Sequence, residues 1–243
     1  GQTAQARQGS SFYFKPGISF SRRGEPTIAF RVYPSACAFS SNGAVILPIE
    51  AKNALYLLGL LNSSWVRAGI HTQAHKFSYS VGHSKSIRWI EPSPRERDSI
   101  ESSVRIILEH KRWRFSKDER DSNFVVPFDP GMASIVEWFA LFRHECKRRG
   151  GEMSDMLANI DKAVAMTYDL PPEGIDWKDF NTSVGDVDDP EDIPYSSVKE
   201  FSSCIIAYVL GAIFGRWDIR YATGQKPTPQ LPDPFASLAI CSP

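Results

Sequence analysis

Cysteine pairs and long apolar runs are both scarce in this sequence, and each absence excludes a class of protein. The four cysteines are far apart and form no C-x-x-C pair: Cys37, Cys146, Cys204 and Cys241. Neither a disulfide framework nor a zinc knuckle is indicated, so a reducing cytoplasm is expected. The longest apolar run, 204–214, is about half of the ~20 residues that a membrane span needs. We therefore expect a buried helix there and no membrane partner.

Catalytic motifs are missing as well. No glycine-rich loop follows a predicted strand, so no cofactor fingerprint is present. The stretch DLPPE at 169–173 lacks the aromatic residue of an amino-methyltransferase motif, and it is better interpreted as a helix end followed by a turn. Asp129, Glu145 and Lys147 match part of a nuclease pattern, which leaves a hydrolase as one alternative. We expect the chain itself to be non-catalytic, with no cofactor and no metal.

Acidic residues are nearly missing from the first part of the chain, although the chain is neutral overall. Residues 1–90 contain ten Lys and Arg against two Asp and Glu, a net charge of +8. The other 18 basic and 26 acidic residues give residues 91–243 a net charge of −8. Such asymmetry indicates a polyanion-binding face in the first part. Two ordinary solvated surfaces are the alternative.

The apolar pattern of residues 1–93 predicts strands around one long helix. Between residues 12 and 49, short alternating runs are separated by Pro and Gly, which is typical of strands and turns. One hairpin is predicted with RRGEP, residues 22–26, at its turn. Residues 50–73 have helical periodicity, with Asn62 and Gly69 as places where the helix loosens, and residues 77–93 return to strand character.

After Pro94 the pattern becomes helical and acidic. A charged helix is predicted over 95–120, another ends at Gly150 and Gly151, a third stops at Pro171, and the last runs to about Phe214. The fold class is therefore α+β. We divide it into a strand-rich, basic recognition part at 1–93 and a helical, acidic support part at 94–243.

Two basic stretches are the candidate contacts for a polyanion. The hairpin turn lifts arginines off a sheet, and residues 71–88 mix basic side chains with hydroxyls. Hydroxyl, Lys and Arg groups donate to phosphate oxygens, and Arg, Lys and His also read base edges. We predict that loops 20–25 and 71–86 form one positive saddle, with a lysine-protected edge strand as the alternative. Its candidate DNA-binding residues are Arg22, Arg23, Arg31, His75, Lys76, Tyr79, His83 and Lys85.

Three histidines in the second stretch raise the question of a metal. His71, His75 and His83 lie within thirteen residues, and the first two are spaced i, i+4. This spacing suits zinc on a helix, but no further ligand accompanies it. Polar loop residues that face a polyanion are the better interpretation.

Three stretches together resemble a known family: GISFSRRG, AVILPIEAKNALYLLGLLNSSWVRAGI and YSVGHSKSIRWIEPSP. They look like the specificity region of large bacterial adenine-N6 DNA methyltransferases, of the type IIG restriction–modification and BREX phage-exclusion kinds. The LLGLLNS helix at 57–63 and the later stretch 214–235 carry the likeness. His83 departs from it, because the family usually has Asp after Val-Gly.

The resemblance implies a target-recognition region that reads duplex DNA for methylation elsewhere in a longer parent chain. The catalytic domain, with its S-adenosyl-L-methionine site and Asn/Asp-Pro-Pro-aromatic motif, is absent from this sequence, which we expect to be a piece of that parent. Double-stranded DNA and the methyltransferase domain are then the expected partners. A protein-interaction module of a defence complex is the alternative.

Overall fold

A three-stranded antiparallel sheet lies in the first part of the computed structural model. The structure describes residues 9–23, 28–39, 43–74, 78–119, 121, 124–127, 134–171, 195–230 and 233–237. The strands are β1 (Gly17–Ser21), β2 (Phe30–Tyr33) and β3 (Gly43–Ile46), in the order β2-β1-β3. Because β1 pairs antiparallel with β2, the predicted hairpin is confirmed. Residues 24–27 at its turn lie outside the described residues.

Helices make up most of the remaining described chain, so the α+β fold class holds. Short 3₁₀ turns occur at Ser10–Phe12, Ala51–Asn53 and Ile219–Tyr221. The six α-helices of the described residues are α1 (Ala54–Asn62), α2 (Ser64–Gln73), α3 (Val81–Lys85), α4 (Pro94–Phe115), α5 (Ile135–Tyr168) and α6 (Val198–Ile213).

The long helix predicted over 50–73 is two helices with a break at Ser63. The Ser63 hydroxyl accepts a hydrogen bond from the Val66 N–H at 3.3 Å, which caps the first turn of α2. Loosening at Asn62 is thus confirmed, whereas Gly69 lies within α2. Helix α1 is buried on more than one face, because Tyr56 and Leu60 are buried as well as Leu58 and Leu61.

Helix α1 is buried widely because it packs on two sides. It contacts strands β1 and β2, and Gly59 approaches the side chains of α4. A Cβ atom at Gly59 would lie 2.4 Å from Cγ2 of Ile100 and 2.9 Å from Cγ2 of Val104. Since Ile100 is fully buried, glycine is required by this close approach rather than by backbone conformation.

The prediction of a strand over 77–93 is wrong, because this segment contains helix α3. A reciprocal capping box starts this helix: the Ser80 side chain accepts the N–H of His83, and the His83 ring accepts that of Ser80. Ser86 then donates its hydroxyl to Oε1 of Gln73 at 3.0 Å, which ties the end of α3 to α2. Among the described residues of this segment, 78–93, strand pairing is limited to one isolated bridge at Ser78.

Two predicted helices are one, since α5 continues through Gly150 and Gly151 for 34 residues. Ion pairs span the glycines: Arg148 binds both Glu145 and Glu152. His110 of α4 adds a tertiary contact, with Nε2 lying 2.7 Å from a carboxylate oxygen of Glu152. These contacts offset part of the ~1 kcal/mol that each glycine costs a helix.

Helix α5 ends just before the predicted stop at Pro171. Asp169 has a positive φ of 54°, and the Leu170 N–H donates to the Ala165 carbonyl at 2.8 Å. This is a Schellman end, in which a left-handed residue turns the chain so that orphan carbonyls are satisfied. Proline directly after it prevents the helix from resuming.

The residues group into two compact units. The first contains Gly1–Val104, Asn159–Gly185 and Pro232–Pro243, and the second contains Arg105–Ala158 and Asp186–Leu231. The division predicted between 93 and 94 falls inside the first unit, and the chain later returns to that unit twice.

Aromatic rings form the core of the second unit. Phe142 stacks on Phe201 at a centroid distance of 5.7 Å and on Trp113 at 5.8 Å. Tyr195 lies against the same rings, and its hydroxyl donates to the Lys117 carbonyl at 2.9 Å. The polar end of a buried tyrosine is therefore satisfied, as burial requires.

The two helical glycines of α1 and α2 provide a matched pair for testing this packing. Gly59→Ala should lower the free energy of unfolding by about 1–3 kcal/mol, because its methyl group overpacks the contact with α4. Gly69→Ala should raise it by about 0.5–1 kcal/mol, because nothing lies within 4 Å of the added Cβ and alanine favours helix. Urea unfolding of both variants measures the difference, and equal effects would contradict the close approach of Gly59 to α4.

Asp161 on α5 gives a pH-dependent contribution to stability. Its Oδ1 accepts the Ser64 N–H at 2.7 Å at the start of α2, but burial raises its pKa above the usual 3.8. A carboxyl group whose pKa is higher in the folded than in the unfolded state binds its proton more tightly in the folded protein. Its contribution to the free energy of unfolding is complete below the unfolded-state pKa and is lost as pH rises through the folded-state pKa.

We therefore expect the wild type to lose stability relative to Asp161→Asn as pH rises from about 4 to 7. Asparagine keeps a carbonyl oxygen for Ser64 but does not titrate. Urea unfolding of both proteins across this pH range measures the difference. A difference that grows in favour of the wild type with rising pH would show that the hydrogen bond from Ser64, not burial, dominates the pKa of Asp161.

Candidate nucleic-acid interface

The two basic stretches of the sequence meet at the end of β1. The Tyr79 N–H donates to the Arg22 carbonyl at 2.8 Å, and Arg23 pairs with Ser78 as an antiparallel bridge. Both arginine side chains are exposed. The backbones of the two stretches, 55 positions apart in the sequence at the bridge, therefore lie side by side at Arg22–Arg23 and Ser78–Tyr79.

Arg31 lies on the outer face of the sheet. It is opposite Ser19 in the register, and side chains alternate between the two faces of a strand. The other face carries Ile18, Phe20 and Phe30, which are 0%, 2% and 4% exposed. Arg31 is itself exposed, so its guanidinium group projects from the side of the sheet that does not face the core.

Helix α3, which begins three residues after the bridge residue Ser78, carries the candidate contacts His83 and Lys85. Nδ1 of His83 accepts the Ser80 N–H at 3.2 Å, so this half-buried ring would contact a ligand through Nε2. Lys85 is exposed in the last turn, where the partial negative charge of a helix end favours a cation. Both residues are held by a helix and not, as predicted, by a strand.

Tyr79 belongs to the core and not to the surface. Its side chain is 1% exposed, and burial raises its pKa above the usual 10.0. The predicted contact of this ring with DNA is corrected accordingly, because a buried ring does not reach a ligand at the surface. His75 and Lys76, the remaining predicted contacts, lie outside the described residues.

Asn62, a residue not singled out as functional from the sequence, fixes the edge of the hairpin. Its Oδ1 accepts the Phe30 N–H at 3.1 Å, and its Nδ2 donates to the Phe30 carbonyl at 2.9 Å. Since β2 is an edge strand, the amide takes the place of a neighbouring strand at this position. The same Nδ2 donates to the Leu58 carbonyl at 3.0 Å, which connects the edge strand to α1.

Arg67 holds the chain at Ile28, where it leaves the hairpin turn and approaches β2. Its Nε donates to the Ile28 carbonyl at 3.0 Å, two residues before β2 begins. Together with Asn62, it ties the returning arm of the hairpin to α1 and α2. The signal for both residues in the sequence is only their polar character within an apolar helical stretch, which does not reveal their distant partners.

The alternatives that invoke a metal find little support among the described side chains. No group of three or more His, Cys, Asp or Glu residues lies together within the described ranges. Glu145 is engaged by Arg148 at 2.7 Å and by Arg149 at 2.6 Å, and the hydrogen bond from Arg148 lowers its pKa to about 2. This arrangement is a structural ion-pair network on α5. Asp129 lies outside the described residues.

Comparisons with known proteins supply no family for this chain, since neither a protein-family model nor a curated protein matches it. Within the described ranges, every helix is too short or too polar to cross a bilayer.

The amide of Asn62 makes a testable contribution to the hairpin. Asn62→Ala should lower the free energy of unfolding by about 2–3 kcal/mol, because it leaves both backbone groups of Phe30 without their partner. It should also speed hydrogen exchange at the Phe30 amide while leaving the amides shared by β1 and β3 unchanged.

Asn62→Asp is the matched control, because it keeps an acceptor for the Phe30 N–H but places oxygen against two carbonyls. It should destabilise the protein at least as much as alanine. Wild-type stability in Asn62→Asp would show that the donated hydrogen bonds contribute nothing.

Proposed function

We propose that this chain binds duplex DNA as the target-recognition region of an adenine-N6 DNA methyltransferase. The parent protein would act in restriction–modification or phage defence in the bacterial cytoplasm. The chain supplies recognition, and methylation takes place on another domain of the parent. The observation that carries this proposal is the meeting of the two basic stretches at the Arg23–Ser78 bridge.

The chemistry at this bridge suits a phosphate backbone. Arg22 and Arg23 present two guanidinium groups from consecutive positions, and Arg31 adds a third from the outer face of the sheet. Arginine binds phosphate oxygens with two parallel N–H donors. Arg22, Arg23, Arg31, His83 and Lys85 are therefore the proposed contacts among the described residues.

The residues that carry the family resemblance support the hairpin in the structure. In LLGLLNS, Gly59 admits α4, Asn62 holds the edge of β2, and Ser63 caps α2. A segment that positions a recognition hairpin in this way fits a specificity region. This observation supports a role as scaffold only. Which side chains read bases depends on the DNA sequence that is recognised and is not determined by the fold.

The proposed division of labour follows the charge of the sequence. The basic, strand-rich part would dock on DNA, while the acidic, helical part would brace it and adjoin the methyltransferase domain. S-adenosyl-L-methionine would bind the methyltransferase domain of the parent. None of the three described strands leads through a glycine-rich turn into a helix, which is the arrangement that binds such cofactors.

Binding to a random duplex pool across a salt series tests the proposal. If four to six phosphates are contacted, the logarithm of the association constant should fall with the logarithm of salt concentration at a slope of roughly −4 to −5. Selection and sequencing of the bound DNA should then return an enriched motif. Steep salt dependence without a motif would limit this chain to backbone contacts, and no binding at low salt would overturn the proposal.

Arg22→Ala/Arg23→Ala should weaken DNA binding about 10- to 100-fold and make the salt slope shallower by about 2, because two phosphate contacts are lost. Lys147→Ala/Lys199→Ala removes the same charge from exposed positions in the second unit and should change affinity less than about twofold. Fluorescence anisotropy with one labelled duplex measures both variants. Equal losses in the two variants would show that only net charge matters, and not the hairpin.

A further inference from the structure

Helix α6 exposes an apolar stripe along the outer side of its carboxyl-terminal half. Ile206, Val209, Leu210 and Ile213 are 60%, 43%, 50% and 72% exposed. Their spacing of i, i+3, i+4 and i+7 places them on one face of a helix. We call these four residues the α6 stripe.

The opposite side of the same helix is already used. Phe201, Cys204, Ile205 and Tyr208 are buried in the aromatic core of the second unit. The α6 stripe therefore is not the core-facing side of an amphipathic helix. Phe214, which is 85% exposed, extends it at the carboxyl end. Isolated apolar residues at a surface are ordinary, but a contiguous patch of this kind marks an interaction site.

Exposed basic residues precede and follow the α6 stripe along the chain. Lys199 lies seven residues before Ile206, on the same face, and is exposed. At the other end Arg216 is exposed, with its guanidinium carbon 4.6 Å from the centre of the Trp217 ring. Among the described residues of α6, the one acidic side chain is Glu200, which points away from the stripe and accepts hydrogen bonds from Ser196.

The charges identify the kind of partner. We propose that the α6 stripe docks an amphipathic helix whose apolar face is bordered by acidic residues at both ends. Helix-on-helix docking uses anchors at the same i, i+3, i+4 and i+7 positions, and the acidic ends would meet Lys199 and Arg216. A second copy of the chain fits less well, because pairing two stripes would bring positive ends together in either direction.

This site does not depend on the proposed DNA binding. The α6 stripe belongs to the second unit, whereas the candidate DNA contacts belong to the first. A chain that fails to bind DNA and still binds such a helix would support this inference alone. The reverse result would support the DNA proposal alone.

Selection from a displayed library of 18-residue helical peptides tests the docking site. The peptides carry apolar residues at i, i+3, i+4 and i+7 and random residues at both flanks, and the bait is the full chain. We expect Asp and Glu to be enriched at both flanks of the selected peptides, because opposite charges favour the docked register.

One selected peptide, labelled with fluorescein, then measures each variant by anisotropy. Lys199→Glu/Arg216→Glu should weaken its binding at least tenfold, and Ile206→Asp/Ile213→Asp should abolish it. Met166→Asp, which also replaces an exposed apolar residue but lies outside the α6 stripe, should leave binding unchanged. Circular dichroism checks that each variant is folded, and the charge-reversal variant, changed only at exposed sites, remains the test if the stripe variant unfolds.

Four outcomes would overturn the inference. Peptides without acidic flanks, or peptides that bind equally well to the stripe variant, would remove the proposed recognition. A dimer in light scattering that the stripe variant dissociates would assign the surface to a second copy of the chain. Binding to vesicles with phosphatidylserine, lost in the same variant, would assign it to a lipid surface.

Discussion

The hydrogen bonds between Asn62 and Phe30 are the constraint on which the arginine hairpin depends. A three-stranded sheet has two open edges, and here β2 is one of them. Unpaired backbone groups at such an edge must find water, another chain or a side chain. Asn62 satisfies both groups of Phe30 from the last residue of α1. Because Arg31 follows Phe30 directly, the same amide fixes the position of the nearest candidate contact.

This constraint gives the LLGLLNS segment a physical meaning. Leucine suits these positions because α1 packs between the sheet and another helix, which buries Leu58, Leu60 and Leu61. Its polar residues are equally determined, since an asparagine amide both donates and accepts in the spacing of a strand. A hydroxyl at the next position starts α2. The segment therefore reads as a scaffold for a hairpin, whatever ligand the hairpin binds.

Local signals predicted those parts of the fold that depend on neighbours in sequence. The hairpin followed from alternation at 17–33, and the end of α5 followed from Pro171. The segment 77–93 was predicted as a strand because its alternation resembles one, yet Ser80 and His83 form a box that starts a helix. The glycine pair at 150–151 failed as a helix end because Arg148 and Glu152 stabilise the helix across it. Tyr79 is predicted at the surface but is buried. Local sequence does not indicate this burial, because the segment packs beside residues such as Arg22 that are distant in the sequence.

Net charge along the sequence is an incomplete guide to where binding surfaces lie. Residues 91–243 carry a net charge of −8, yet Lys199 and Arg216 precede and follow the α6 stripe within them. The first part is basic as a whole, but Arg67 is committed to a backbone carbonyl. Electrostatic recognition falls off within about a Debye length, ~8–10 Å in physiological salt. A partner therefore responds to the few charges beside its contact, and the fold determines which charges those are.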